Sequence, residues 1–184
     1  MNTSTGDSVY RIDSRGCLTS VNAAWLRFAQ ENGAAELTRD RVVGRAVRDF
    51  VRGEVVCHLW EILTRIVRES GKPLRVPFRC DSPDERRFME ATLSALPNGE
   101  VEFACRLVRV EAREAVALLD RSVARSDQWL TVCAWCNRFL MGEGLWLEAE
   151  DAVRQIDLLG GSRLPNLTGG VCSRCHEMIV RKGS

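Results

Sequence analysis

Two CxxC pairs near one end of the chain carry its clearest chemistry. Cys133 and Cys136 form the first pair, Cys172 and Cys175 form the second, and 35 residues lie between them. Four thiolates that converge on one point suit tetrahedral Zn²⁺. His176 completes a CxxCH sequence, which is also the attachment signature of c-type haem. A CxxC pair can also cycle between a dithiol and a disulfide.

Structural zinc is the interpretation that uses both pairs. Attachment of c-type haem normally follows export, for which residues 1–14 show no signal, and it leaves Cys133 and Cys136 without a role. A redox dithiol is disfavoured because the surroundings of "CAWC" lack a thioredoxin-like βαβ context. With four thiolates the metal keeps no open position for water, which argues against zinc catalysis. Redox sensing by a zinc site, and a Cys₃His set with His176 in place of Cys175, stay open as alternatives.

Cationic side chains beside the cysteines are expected to support such a site. Four thiolates on Zn²⁺ leave a local charge near −2, which nearby donors and cations must offset. Arg138, two residues after the first pair, and Arg174, inside the second pair, are close enough to do this. We expect His176 to be a donor to the sulfurs or a surface residue.

Bulk properties place the chain among ordinary globular proteins. It has 184 residues, 45% of them apolar and 28% charged, and a net charge of +1. Residues 1–14 lack the basic and then apolar run of a signal peptide, and no stretch approaches the roughly 18 apolar residues of a membrane span. We therefore expect a soluble, cytoplasmic protein with no membrane partner.

The elements before the cysteines predict an α+β fold. Two short strands joined by a Gly-containing turn come first, and Asn22 can cap a helix after them. A longer helix is predicted between Gly53 and Gly71, with Pro73 beyond its end. Three further strand patterns, separated by turn residues, follow it. This order predicts a five-stranded antiparallel sheet with helices on one face.

Residues 1–110 resemble a PAS domain. The likeness rests on "YRIDSRGCLTSVNAAWLRFA", on the helix that ends in "ESGKP", and on closing strands separated by "DSPDERR" and "PNGE". It implies a sensory or protein-interaction domain, often dimeric. A small-molecule pocket is then expected among aromatic residues and one histidine, where His58 could ligate haem. These pocket candidates are Trp25, Phe28, His58, Phe78 and Phe103.

Residues 111–128 are predicted to form a linking helix. The segment has no Gly or Pro and places Ala112, Val116, Leu119 and Val123 at alternating spacings of four and three, which is a short heptad seam. A single amphipathic helix packed on its own sheet and a paired helix at a dimer interface both explain the pattern. In the second case the helix would transmit a signal between domains.

Residues 129–184 resemble a zinc-binding module that follows sensor domains in bacterial signalling proteins. The matching pieces are "CAWC", "GLW", "EAEDAVRQI" and "GGVCSRC". The resemblance implies a small, zinc-ribbon-like unit held by Cys133, Cys136, Cys172 and Cys175. The segment "GGSRLPNLTGG" departs from the pattern and is predicted to be a loop.

These observations favour a non-enzymatic sensor or adaptor with structural zinc, a protein partner and a homodimeric state. The chain has two histidines, neither on the predicted linking helix, and no Gly-rich nucleotide loop, which argues against a histidine kinase. A DNA-binding regulator is the alternative, together with a haem or redox sensor. From residue 131 onward six Lys or Arg balance six Asp or Glu, whereas a DNA-binding domain is normally much more basic.

Overall fold

The chain combines two sheets with helices in an α+β fold. A computed structural model describes residues 6–51, 53–120, 122–158 and 163–181. The elements up to residue 112 are β1 (Ser8–Ile12), β2 (Leu18–Val21), α1 (Ala23–Glu31), α2 (Arg39–Val42), α3 (Glu54–Ser70), β3 (Leu74–Arg79), β4 (Glu85–Ala95) and β5 (Val101–Ala112).

The five strands form one antiparallel sheet in the order β2-β1-β5-β4-β3. The first strand therefore lies beside the last, with Ser8 opposite Cys105 and Ile12 opposite Val101. Helix α3 packs on this sheet through Leu59, Leu63 and Val67, which are buried in one core with strand residues. The prediction of an α+β fold with a five-stranded antiparallel sheet is confirmed.

Two helix ends form as their sequences predict. The side chain of Asn22 accepts a hydrogen bond of 2.8 Å from the backbone N–H of Trp25, which caps α1. Helix α3 ends at Gly71, whose φ of 65° lies in the left-handed region that glycine adopts without a Cβ clash. In each of these two helices, apolar residues at helical spacing face the core.

The C-terminal part forms a smaller mixed sheet. Its elements are β6 (Arg125–Cys133), β7 (Phe139–Leu140), β8 (Trp146–Leu147), α4 (Ala149–Leu158), β9 (Leu164–Gly170) and α5 (Ser173–Arg181). The strand order is β8-β7-β6-β9, and the β6 and β9 strands run parallel while the other pairs are antiparallel.

The linking helix predicted for residues 111–128 is wrong. Strand β5 continues to Ala112, which pairs with Glu85 of β4, and β6 already begins at Arg125. Of residues 113–120 and 122–124, which the structure describes between these strands, Ala117–Leu119 form a 3₁₀ turn. Val116 and Leu118 are buried in a small cluster with Ala149 and Ala152 of α4, whereas Ala112 is exposed, so the predicted seam does not form. Strand pairing at both ends satisfies the backbone.

The loop predicted for "GGSRLPNLTGG" is also wrong over most of its length. Residues 164–170 are strand β9, paired in parallel with β6 from Leu164 opposite Arg125 to Gly170 opposite Cys133. Residues 160–162 lie outside the described residues. The second sheet is therefore built on a parallel pair and differs from the expected ribbon.

Both parts of the chain share one hydrophobic core. Buried Cys133, Trp135, Cys172 and Ile179 belong to the same cluster as the α3 residues that pack on the first sheet. The backbone N–H of Arg79, at the end of edge strand β3, donates a 2.7 Å hydrogen bond to the carbonyl oxygen of Trp135. The cysteine region is thus packed against the first sheet and its helix.

None of the helices within the described ranges is both long and apolar enough to cross a membrane.

Candidate metal centre

Parallel pairing of β6 with β9 brings the two CxxC pairs together. Cys133 is the last residue of β6 and lies opposite Gly170, the last residue of β9. Cys172 comes two residues after Gly170, just before α5. Because parallel strands end at the same edge of a sheet, motifs that directly follow them meet there. Strands β7 and β8 and helix α4 lie in the connection between β6 and β9.

A tight turn folds the first pair. The backbone N–H of Cys133 donates to the carbonyl of Arg138 at 2.7 Å, and the N–H of Asn137 donates to the carbonyl of Cys133 at 2.9 Å. Asn137 has a φ of 55°, a left-handed conformation that asparagine tolerates better than most residues. The turn returns the chain so that the Cys136 sulfur comes back beside that of Cys133.

The second pair occupies the start of α5. The N–H of His176 donates to the carbonyl of Cys172 at 2.9 Å, so the helical bonding begins at Cys172 and places Cys175 within the first turn. The N–H of Cys172 donates to the sulfur of Cys133 at 3.4 Å. This bond ties the second pair to the first.

The four sulfurs form one compact cluster. All of them lie within 4.8 Å of one another, and the Cys136 and Cys172 sulfurs are 3.8 Å apart. A tetrahedral ion with Zn–S bonds near 2.3 Å requires sulfur separations of about 3.8 Å. Cys133, Cys172 and Cys175 are buried and Cys136 is half-buried, and all are free thiols. The cluster can therefore hold a metal ion without a disulfide.

Protonation of the cluster follows from its crowding. Hydrogen bonds from the Cys136 and Cys175 thiols, and from the N–H groups of Cys172 and Cys136, hold the pKa of Cys133 far below its usual value. The bond to Cys133 raises the pKa of Cys136 to about 12, and the bonds to Cys133 and Cys136 raise that of Cys175 further. The arrangement favours one thiolate, and a cation at its centre is what would stabilise four.

Arg138, one of the residues predicted to offset the thiolate charge, lies beside the sulfurs. Its guanidinium interacts electrostatically with Cys136 and Cys172, and its Nε donates to Glu148 at 3.0 Å. Its backbone N–H also donates to the Cys136 sulfur. Arg174 and His176 are exposed on α5, and their side chains make no hydrogen bond or ion pair among the described residues.

An ion-pair network, which sequence reasoning missed, anchors Arg138 to the first sheet. Glu148 accepts from Arg138 and also from Arg79 at 2.8 Å, and Arg79 pairs with fully buried Asp81. Burial opposes the charge of Arg79, but hydrogen bonds from its guanidinium to Asp81 and Glu148 raise its pKa above the usual value. No local pattern signals the pairing of Arg79 with Glu148, because the two residues are far apart in sequence.

A separate cavity of about 290 Å³ lies between α3 and the first sheet. Of the five residues predicted for a pocket, Phe103 lines this cavity and the other four do not. Within the described chain, Trp25 and Phe78 instead pack half-buried against the core, His58 is exposed on α3, and Phe28 lies under the Arg87 guanidinium. Residues that do line the cavity include Tyr10, Ala46, Cys57, Trp60, Thr64 and Arg68.

Comparisons with known proteins find likeness in structure alone. No protein-family model matches the chain, and no curated protein matches it. A domain of an HTR-like protein from Haloarcula marismortui ATCC 43049 is similar in structure, with a TM-score of 0.37 and 18% sequence identity. The match covers 56% of this chain and 98% of that one.

Proposed function

We propose that this chain is a non-enzymatic sensor or adaptor protein whose C-terminal part is held by one structural Zn²⁺. The observation that carries the proposal is the convergence of Cys133, Cys136, Cys172 and Cys175 within 4.8 Å, largely buried. Four sulfur donors at this spacing fit tetrahedral zinc and leave no position for a substrate. The metal would stabilise the fold and take no part in catalysis.

The PAS-like identity of the first domain belongs to the same proposal. Its support is the sheet order β2-β1-β5-β4-β3, in which the last strand lies between the first and the fourth, together with a long helix across the sheet. A cavity between that helix and the sheet offers a place where a small molecule could bind. A signal received there would reach a protein partner, and we propose a homodimer as the working form.

Metal content and the visible spectrum of the purified chain test this proposal. We expect one zinc per chain and no absorption band near 400 nm. A Cys172→Ser variant should retain less than about a tenth of the zinc, because it removes one of four ligands. Cys17→Ser, which changes a half-buried thiol outside the cluster, is the control and should keep its zinc.

Three results would contradict the proposal. A haem spectrum would show that the cofactor is haem and not zinc. Equal zinc content in wild type and Cys172→Ser would show that the metal is not bound at the cluster. Retention on a duplex DNA column at near-physiological salt would contradict the adaptor role, because a protein partner requires no affinity for phosphate.

A further inference from the structure

Helix α3 forms one wall of the cavity. Cys57, Trp60, Thr64 and Arg68 line it at spacings of three and four residues, so they occupy a single face of the helix. Thr64 is buried and its hydroxyl donates a 2.7 Å hydrogen bond to the carbonyl of Trp60. Anything that fills the cavity therefore presses on this face.

The same helix approaches the chain at both CxxC pairs. Trp60 stacks on Trp135, with ring centroids 5.3 Å apart and an interplanar angle of 27°. Trp135 lies between Cys133 and Cys136 in the chain and is only 2% exposed. At the start of α3, a Cβ added to Gly53 would lie 2.6 Å from the carbonyl oxygen of Gly169, three residues before Cys172.

Aromatic contacts run without interruption from the cavity to the cysteines. Tyr10 and Phe103, which both line the cavity, stack with ring centroids 4.6 Å apart, and Phe103 and Trp60 make a T-shaped contact with centroids 5.8 Å apart. Trp60 then stacks on Trp135. Because Trp60 is at once a wall of the cavity and the partner of Trp135, a change in its position reaches the first CxxC turn directly.

We propose that filling this cavity slows the release of the metal ion from the four-cysteine cluster. The inference rests on the proposed zinc site. Release requires the Cys133–Cys136 turn to open, and this turn carries Trp135. An apolar group in the cavity holds Trp60 against Trp135 and so resists that opening, whereas an empty cavity leaves Trp60 room to move. The cavity then regulates the metal centre without touching it.

The rate of zinc transfer to excess EDTA, followed with zinc-loaded protein, tests the coupling. Trp60→Leu should release zinc about two- to tenfold faster, the range that corresponds to the stability of an aromatic pair. Trp60→Phe, which keeps a ring, should fall between it and the wild type. Ala46→Leu, which adds side chain to the cavity from outside α3, should slow release about twofold or more.

Matched controls separate coupling from general loss of stability. Trp25→Leu removes a half-buried tryptophan of α1 that packs on the core but is not one of the stacked rings. Ala104→Leu enlarges a residue on the opposite face of β5 from Phe103. Both should release zinc at the wild-type rate.

Release rates that are equal in wild type, Trp60→Phe and Ala46→Leu would overturn the coupling, even if Trp60→Leu fails to fold. A wild-type chain that binds no zinc would contradict the proposed function itself, and this result is distinct from a chain that binds zinc with a rate insensitive to the cavity.

Discussion

At the scale of single residues, the cluster depends on backbone N–H donors as much as on sulfur. The N–H groups of Cys136 and Cys172 point at the Cys133 sulfur, and that of Arg138 points at Cys136. These donors exist only because Asn137 takes a left-handed conformation and α5 starts at Ser173. Thiolate charge is thus offset before any side chain contributes, and the Arg138 guanidinium adds to it.

Replacing Arg138 by Gln should weaken zinc binding about 10-fold, at the low end of what residues supporting metal ligands contribute. The change removes a positive charge near the Cys136 and Cys172 sulfurs and leaves Glu148 with one arginine partner fewer. Competition for zinc with a chelator of known affinity measures it. Arg174→Gln, on the exposed face of α5, is the matched control. An equal loss of zinc affinity in both variants would show that the contacts of Arg138 do not support the metal.

At this scale, the spacing of residues along the chain carries the predictions. The four cysteines were predicted from two CxxC motifs, and Arg138 from its position two residues after Cys136. Burial of Trp135 and the pairing of Arg79 with Glu148 were not predicted, because both result from contacts between distant segments. Arg174 also lies two residues after a cysteine, Cys172, but its side chain on α5 is exposed to solvent.

At the scale of elements, pairing between distant strands overrode local periodicity. The apolar spacing of residues 111–128 fits a helix, but β5 and β6 take up both ends of that segment as strands. The partners of these strands lie far away in sequence, and β9 was itself hidden in a stretch rich in Gly, Pro and Asn. By contrast, α1 and α3 were predictable because their caps and apolar faces are local.

The contact between α3 and β9 should tolerate no side chain at Gly53. Its φ of 97° is outside the range of other residues, and an added Cβ would meet the Gly169 carbonyl oxygen at 2.6 Å. We expect Gly53→Ala to lower the free energy of unfolding by about 2 to 4 kcal/mol, since backbone strain and overpacking add. Denaturant unfolding measures this loss.

Gly71→Ala provides the control for strain alone. Gly71 also has a positive φ, 65°, but a Cβ there would have no atom within 4 Å. Its loss should be about 1 kcal/mol. Equal losses at the two glycines would mean that the approach of α3 to β9 contributes nothing to stability.

At the scale of the whole molecule, the two parts of the chain are joined by a core and by charge. The core cluster runs from the first sheet through α3 to the cysteines. Beside it, buried Asp81 pairs with Arg79 and Arg113, which in turn pair with Glu148 and Glu150 at the start of α4. Breaking such a network leaves buried charges without partners, so the two parts are expected to unfold together.

Zinc removal should therefore destabilise the entire chain. With EDTA present, we expect a single thermal transition, shifted down by roughly 10 °C for a loss of about 4 kcal/mol. Calorimetry measures the transition, and hydrogen exchange should show lost protection in α3 as well as in α5. Cys172→Ser is the control and should respond little to EDTA. Two separate transitions, with α3 still protected, would indicate independent domains.

The stack of Trp60 on Trp135 also bears on how the chain is synthesised. The five-stranded sheet has all its strands once residue 112 has left the ribosome, but the ring that covers Trp60 follows 23 residues later and the last cysteine at residue 175. During that interval the nascent chain carries a complete sheet with an uncovered tryptophan on its main helix. We expect the translation speed through residues 113–175 to set how long this aggregation-prone intermediate is exposed to chaperones or to other nascent chains.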